Sequence, residues 1–207
     1  MGDSGNSRVA TGAGRGSVNN FRRILFGFDI WPALRQLDAQ PELWGQNPER
    51  ITVEGSPHAQ SSDIWLRFRP KAELHEPSDY GAPHFAEMWP AWHALPGLHA
   101  ITFDVMRAVE ATYLGGCLIT RIPPGAQILP HVDRGWHPTF NNEKVYVILR
   151  ANDRCINYCG DEECYMPPAT AWTFRNDIEH AVVNGGETER VAMILTMRVE
   201  GVPMERG

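Results

Sequence analysis

Two histidines and an aspartate have the types and spacing of a metal site. His131 and Asp133 lie in the segment Pro-His-Val-Asp, and His180 opens a later apolar run. If the first segment is a strand or the end of one, His131 and Asp133 point to the same side, because side chains alternate along a strand. Two neutral imidazoles and one carboxylate suit Fe(II) and leave positions open for a co-substrate and dioxygen. The three residues are therefore predicted to bind one Fe(II).

An H-x-D segment alone has a simpler interpretation. The chain contains eight histidines, so such a pair can arise by chance, and His131 would then be a surface histidine or a satisfied core histidine. Arg190 favours the metal site, because it starts the apolar run that follows His180. A guanidinium can bind a carboxylate through two parallel N–H groups, which lysine does less well. Arg190 is therefore predicted to anchor a carboxylate.

The elements that position these residues are predicted to be strands. From Cys117 onward, short β-branched and aromatic runs are separated by turn-forming residues such as Asn141-Asn142. The predicted strands are Cys117–Ile122, Gln127–Leu129, Val145–Leu149, Ala171–Phe174, Ala181–Val183 and Val191–Met197. This series suits a cupin-like jelly roll, the double-stranded β-helix, with its core at about residues 115–200 and a small site at the mouth of the barrel.

The earlier part of the chain is predicted to add flanking helices, which makes the fold mainly β. A short helix is expected to begin near Trp31, with Asp29 as its cap and Pro32 in its first turn. Apolar residues at helical spacing predict a second helix from Ile101 to Tyr113, and Gly115-Gly116 is expected to end it.

Length and composition indicate an ordinary globular protein. The 207 residues are enough for one domain, predicted over 21–207, after a Gly/Ser/Asn-rich leader at 1–20 that is expected to be disordered. The leader lacks the apolar core of a signal peptide, and no apolar run matches a membrane span, so a cytoplasmic location is expected. The net charge of −6 argues against a nucleic-acid partner.

Residues Leu118 to Val199 resemble the aspartyl/asparaginyl β-hydroxylase-like branch of the Fe(II)/2-oxoglutarate oxygenases. The resemblance is carried by the segments ILPHVD, EKVYVIL and ATAWTFRNDIEHAVVNGGETERVAMIL. In the family pattern, an aromatic residue is followed by Asn or Asp, then by Asp, and then by three further residues and a His. An Asn, a turn and an Arg come after that His. The resemblance implies a hydroxylase that uses Fe(II), O2 and 2-oxoglutarate, which is decarboxylated to succinate with release of CO2, to hydroxylate an unactivated C–H bond.

The family resemblance also bears on the substrate. Large animal members carry Gly at the position of Asp133, whereas this sequence resembles bacterial members that have all three ligands. Some of those bacterial relatives hydroxylate free amino acids such as proline. An amino-acid-like small molecule or a short peptide is therefore the expected substrate, with hydroxylation of a protein as the alternative.

Further residues are predicted to line the site. Lys144, Tyr146 and Thr120 would reach 2-oxoglutarate from neighbouring strands, with Lys144, Tyr146 and Ile148 facing one way and Val145, Val147 and Leu149 the other. The alternative for the first two is a solvated lysine and a core tyrosine.

Five residues are predicted to contact the substrate. His58, Trp65 and Arg67 would form a wall of the substrate site, although Asp63 and Arg67 could equally form a structural pair. Arg134 and Trp136 lie in the loop after the proposed ligands, where rim residues commonly carry specificity. His137 in the same loop is poorly placed as a ligand.

Several alternatives remain open at the level of sequence. A cupin-like metal-binding protein or isomerase would use more histidines and would leave Arg190 without a role. A non-catalytic binding module would need neither three ligands nor an anion clamp, and a nucleic-acid demethylase would need a basic groove. Cys155, Cys159 and Cys164 would make an incomplete zinc site. They are predicted to lie in a hairpin and to stay reduced, as is Cys117.

Overall fold

A computed structural model describes residues 20–201 of the chain. The predicted disordered leader therefore lies outside the described residues except for its last residue, Asn20. The backbone N–H of Asn20 donates to Glu162 Oε2 at 2.9 Å, and its side-chain amide donates to the carbonyl of Cys159 at 3.0 Å. These contacts attach the start of the first strand to the hairpin that contains Cys159 and Glu162.

Two antiparallel sheets form the centre of the structure. The strands are β1 (Phe21–Phe26), β2 (Ser62–Phe68), β3 (Glu87–Met88), β4 (Ala111–Ile122), β5 (Gln127–His131), β6 (Glu143–Arg150), β7 (Cys155–Cys159), β8 (Glu162–Tyr165), β9 (Thr170–Phe174), β10 (His180–Asn184) and β11 (Arg190–Val199). A seven-stranded sheet has the order β1-β9-β6-β11-β4-β2-β3, and a four-stranded sheet has the order β5-β10-β7-β8. The predicted double-stranded β-helix is confirmed. The strands β1, β2 and β3 extend its larger sheet with residues that precede the predicted core.

Helices flank the larger sheet. They are α1 (Trp31–Ala39), α2 (Glu49–Thr52), α3 (Pro90–Ala94), α4 (His99–Ala108) and α5 (Trp136–Phe140). Pro32 lies in the first turn of α1 as predicted, but the cap position is Ile30, and Asp29 Oδ1 accepts a hydrogen bond from the N–H of Trp31 at 3.2 Å. Among residues 20–201, no helix is long and apolar enough to cross a membrane.

The prediction of where the second helix ends is wrong. Helix α4 ends at Ala108, Glu110 turns the chain with a positive φ of 56°, and Tyr113, Gly115 and Gly116 lie within strand β4. The two glycines allow close packing rather than ending a helix. A Cβ on Gly115 would overlap the side-chain amide of Asn141, which would have to move. Strand β4 therefore continues through both glycines and brings its later residues to the site.

Side-chain alternation divides the core into two layers. Val145, Val147 and Leu149 of β6 pack in a cluster with residues of α1 and α4, whereas Tyr146 and Ile148 pack in the cluster between the sheets. The alternation predicted for this strand is confirmed. Residues on the inner face of the larger sheet therefore point toward the smaller sheet, which carries β5 and β10.

The cysteine-containing segment folds as predicted into a hairpin of β7 and β8, in which Cys159 pairs with Glu162 and Asn157 with Cys164. The chain's four cysteines are all free. In the part of the chain that the structure describes, they form no group able to hold a metal. The hairpin interpretation therefore replaces the zinc site.

Candidate metal centre and active site

Three side chains from the smaller sheet converge between the two sheets. His131 ends β5 and His180 begins β10, and these two residues are direct partners in the strand pairing. Asp133 follows β5, where its backbone N–H donates to the carbonyl of Asn176 at 3.1 Å. Each residue offers one ligand atom, and the three atoms lie within 4.8 Å of one another. The structure thus brings together the three residues predicted as iron ligands.

Both imidazoles are oriented by the backbone. Nδ1 of His131 donates to the carbonyl of Leu129 at 2.8 Å, and Nδ1 of His180 donates to the carbonyl of Ile178 at 3.0 Å. Because a carbonyl can only accept, Nδ1 carries the proton in each ring and Nε2 keeps its lone pair. Both Nε2 atoms are buried without a hydrogen-bond partner. This is the arrangement that a metal ion requires of two histidine ligands.

The two oxygens of Asp133 have different partners. Oδ1 lies 3.7 Å from Nε2 of His131 and 3.9 Å from Nε2 of His180. Oδ2 accepts hydrogen bonds from Lys144 Nζ at 2.5 Å and Asn176 Nδ2 at 3.0 Å. Burial by itself would raise the pKa of Asp133, but the charge and hydrogen bonds of Lys144 and Asn176 outweigh burial and hold the pKa well below its usual range. Oδ2 is therefore held by two hydrogen bonds, and Oδ1 of the ionised carboxylate is left to bind a metal.

The imidazoles are held in their neutral form. Burial, followed by the charge of Lys144, lowers the pKa of His180 to about 4. Burial is also the main cause that lowers the pKa of His131. Neutral imidazoles and an ionised carboxylate are the protonation states that bind Fe(II). The donor set, its orientation and its charge therefore fit the metal implied by the family resemblance.

Arg190 is a buried cation on the inner face of β11, with 1% of its surface exposed. Its Nη2 donates to Asn157 Oδ1 at 3.1 Å, and its guanidinium carbon lies 5.3 Å from the centroid of the Tyr146 ring. Its Nε is buried without a partner. Among residues 20–201, no carboxylate forms an ion pair with Arg190. Burying such a cation is costly unless an anion pairs with it.

The other predicted co-substrate contacts have different surroundings. Tyr146 lies beside Arg190, as expected for a residue that contacts the carboxylate predicted to bind Arg190. Lys144 is paired with Asp133, and Thr120 donates to Asp63 Oδ1 at 2.8 Å. Lys144 therefore contacts a proposed metal ligand rather than the predicted co-substrate position. The Thr120 hydroxyl is likewise occupied by Asp63, its partner in the strand pairing, and is not free to bind 2-oxoglutarate.

A cavity of about 280 Å³ adjoins the proposed metal site, and Asp133 lines it. His58, Trp65 and Arg134, three of the predicted substrate residues, also line this cavity. Its wall is mainly apolar and aromatic, with Trp65, Phe68, Leu118 and Ile194 among its residues. The cavity can therefore hold an organic group next to the metal site.

Two predicted substrate residues do not line this cavity. Arg67 donates from Nε to the carbonyl of Leu114 at 2.7 Å and lies over the ring of Tyr113. The pairing of β2 with β4 shifts by one residue between Trp65 and Arg67, which breaks the alternation that would have kept them on one face. Trp136 stacks on Phe140, with ring centroids 5.0 Å apart.

Residues not predicted from the sequence complete the site. Asn176 holds Asp133 through both its backbone carbonyl and its side chain, and Arg50 lines the cavity beside His58. The Asn in FRNDIEH belongs to the family pattern, but the pattern alone does not indicate its role. No sequence motif marks Arg50, because its contact with Asp63 depends on the folding of the segment between them.

His137 attaches the loop that contains Asp133 to the larger sheet. Its Nδ1 lies 3.4 Å from the amide of Asn141, which donates, so Nε2–H donates to Thr196 Oγ1 at 2.9 Å. Burial, followed by the nearby His84, lowers the pKa of His137 to about 4. The Thr196 hydroxyl also accepts from the N–H of Gly116 at 2.8 Å. A neutral histidine thus pins the loop against Gly116.

Substitution of Gly116 by Ala is expected to loosen this attachment. The added Cβ would lie 2.8 Å from Thr196 Oγ1 and 3.3 Å from His137 Nε2, so the Thr196 hydroxyl must shift and the His137 ring must yield slightly. Overpacking of this kind typically costs about 1–3 kcal/mol of unfolding free energy. Denaturant unfolding measures the loss, and Gly81→Ala is the matched control, because a Cβ there meets nothing within 4 Å. Equal stability of the two variants would show that His137 does not depend on Gly116.

Comparison with known proteins identifies the family. The family model for aspartyl/asparaginyl beta-hydroxylase matches residues 87–199, which is more than half of the chain. The chain belongs to this family. Members are Fe(II)- and 2-oxoglutarate-dependent hydroxylases, so the predicted family, enzyme class and cofactors are confirmed at the level of the family. This favours an enzyme over the cupin-like metal-binding protein and the binding module.

Solved structures similar to this aspartyl/asparaginyl β-hydroxylase family member support its fold. An oxidoreductase of the 2OG-Fe(II) oxygenase family from Burkholderia pseudomallei is 14% identical, with a TM-score of 0.50 over 84% of this chain and 81% of that one. A viral collagen prolyl hydroxylase from Paramecium bursaria Chlorella virus-1, solved with 2OG, is 12% identical, with a TM-score of 0.52 over 88% and 97%. No curated protein sequence matches the chain.

Proposed function

We propose that this hydroxylase uses Fe(II) held by His131, Asp133 and His180 to hydroxylate an amino-acid-like small molecule or a short peptide. The overall reaction converts substrate, O2 and 2-oxoglutarate into hydroxylated substrate, succinate and CO2. The observation that carries the proposal is the pair of buried Nε2 atoms without partners, which lie within 4 Å of one Asp133 oxygen. When bound, the iron would supply the oxygen chemistry of the reaction.

The remaining roles follow from charge and burial. Arg190 would bind the distal carboxylate of 2-oxoglutarate, because it is a buried cation for which the described residues provide no carboxylate. Lys144 and Asn176 would hold Asp133 so that one oxygen faces the metal. The apolar wall of Trp65, Phe68 and Leu118 would exclude water from the substrate's C–H bond.

The size of the cavity supports a small substrate or a short peptide segment. A space of about 280 Å³ beside Asp133 suits a single amino-acid-sized group. The family's proteins also include those that act on aspartyl or asparaginyl residues of proteins. Hydroxylation of a protein is therefore the second candidate.

Turnover assays test the proposal directly. Purified protein is incubated with Fe(II), 2-oxoglutarate and O2 and with a panel of free amino acids, short peptides and small folded domains. Succinate is quantified by NMR, and products are examined by mass spectrometry for the gain of one oxygen atom. We expect a free amino acid or a short peptide to stimulate succinate release. Stimulation by folded domains alone would establish the protein hydroxylase instead, and no succinate from any substrate would contradict the proposed activity.

A further inference from the structure

Arg50 reaches the cavity beside the metal site from helix α2. Its Nη1 donates to Asp63 Oδ2 at 2.7 Å, and its Nη2 lies 3.0 Å from Nδ1 of His58. The side chain of Arg50 is 18% exposed, whereas that of Asp63 is 1% exposed. The arginine is thus held on one side by a buried carboxylate and is open on the other side to the cavity that it lines.

The buried carboxylate is itself fixed to the larger sheet. Asp63 and Thr120 are direct partners in the pairing of β2 with β4, and the Thr120 hydroxyl donates to Asp63 Oδ1 at 2.8 Å. Both carboxylate oxygens therefore have a partner. A guanidinium held in this way has lost its side-chain freedom before any ligand arrives, which lowers the entropic cost of binding.

Arg50 keeps unused hydrogen-bond donors. A guanidinium has five N–H groups, and the contacts with Asp63 and His58 occupy only part of them. The others have no acceptor in the described part of the chain. Nε of Arg50 has no partner and is not among the buried atoms that lack one, so its N–H group is accessible. Guanidinium N–H groups match the oxygens of a carboxylate.

The position of Arg50 relates it to the reaction centre. The ring of His58 packs edge-on against the ring of His131, with centroids 4.9 Å apart. One imidazole therefore separates Arg50 from a proposed metal ligand. Arg134 lines the same cavity and forms no ion pair with a described residue, so a second cation is available there.

We propose that Arg50 binds a free carboxylate of the organic substrate, and that Asp63 and Thr120 are its positioning residues. This inference rests on the proposed function. It makes the substrate a carboxylic acid whose hydrocarbon part lies against Trp65 and Phe68. A free amino acid, the C-terminus of a peptide and the side chain of an aspartyl residue each carry such a carboxylate, and free amino acids are the probes for it.

Paired acid and amide probes test this carboxylate site. Protein loaded with Mn(II) and 2-oxoglutarate is titrated calorimetrically, without oxygen, with L-leucine, L-proline, L-phenylalanine and the carboxamide of each. We expect the wild type to bind at least one acid about tenfold or more tightly than its amide, because a charge-assisted pair is lost in the amide. Arg50→Met is expected to reduce this preference to within about twofold, and Arg50→Lys to retain part of it.

Two further variants control for folding. Arg50→Met leaves Asp63 buried without its cation, so the double variant Arg50→Met/Asp63→Asn removes both charges and should keep the fold while losing the preference. Arg107→Met, on the exposed face of α4, is the matched control and should retain the wild-type preference. Melting temperatures are compared for all variants.

The outcomes separate this inference from the proposed function. Binding of Mn(II) and 2-oxoglutarate by the wild type supports the proposed function independently of any probe. If the wild type binds acid and amide alike, binds none of the six probes, or keeps its preference in the folded double variant, Arg50 is not the carboxylate site. If Arg50→Met weakens 2-oxoglutarate binding as much as acid binding, Arg50 belongs to the co-substrate site instead.

Discussion

Alanine at His131, Asp133 or His180 is expected to abolish tight binding of Fe(II) or Mn(II), with a loss of more than about a hundredfold in affinity. Loss of a group that only orients a ligand typically costs about 10–100-fold, so loss of a ligand itself should cost more. The structure offers few substitutes. In the described part of the chain, these three residues are the one group of His, Cys, Asp or Glu side chains placed to hold a metal. Anaerobic calorimetric titration of each variant measures the effect.

An exposed histidine provides the control for this experiment. His93 lies on the surface of α3, and His93→Ala should bind metal as the wild type does. Circular dichroism of each variant checks that the fold is retained. Unchanged metal affinity in any two of the three ligand variants would rule out this site as the iron centre.

The C-terminal strands could be predicted because their pattern is local. Alternation on β6 determines that Tyr146 faces the smaller sheet and Val145 faces the helices, and burial on both faces confirms it. The spacing of His131 and Asp133 at the end of β5 likewise needs only the geometry of one strand. His180 needed one further assumption, that its strand pairs with β5, and the pairing of His131 with His180 supports it.

Features that depend on distant contacts could not be predicted. The sequence predicts that Gly115 and Gly116 end a helix, but their role depends on Asn141 and Thr196, which the fold brings against them. The sequence groups Arg67 with Trp65, because it does not reveal the shift in strand pairing between them. Arg50 has no motif of its own, since its importance depends on the buried carboxylate of Asp63. In each case the missing information was how segments distant in the sequence pack against one another.

The second large effect is expected at Arg190. Arg190→Met should raise the apparent Michaelis constant for 2-oxoglutarate about 30- to several-thousand-fold, because a charge-assisted pair lost from a buried site costs about 2–5 kcal/mol. Metal affinity should stay near that of the wild type, since Arg190 contacts Asn157 and Tyr146 rather than a proposed ligand. Arg190→Lys should fall between the two, because lysine keeps the charge but loses the planar fork. Succinate release at varied 2-oxoglutarate measures the constant.

Stability distinguishes a co-substrate anchor from a structural arginine at this position. A buried cation without an anion destabilises the unliganded protein, so Arg190→Met should leave its melting temperature unchanged or raise it. A structural role would predict the opposite, because removal of a supporting residue lowers stability. Arg198→Met on the same strand is the matched control, since Arg198 pairs with Glu200 near the surface. If the apparent Michaelis constant for 2-oxoglutarate moves less than about threefold while stability falls, Arg190 is structural and does not bind the carboxylate.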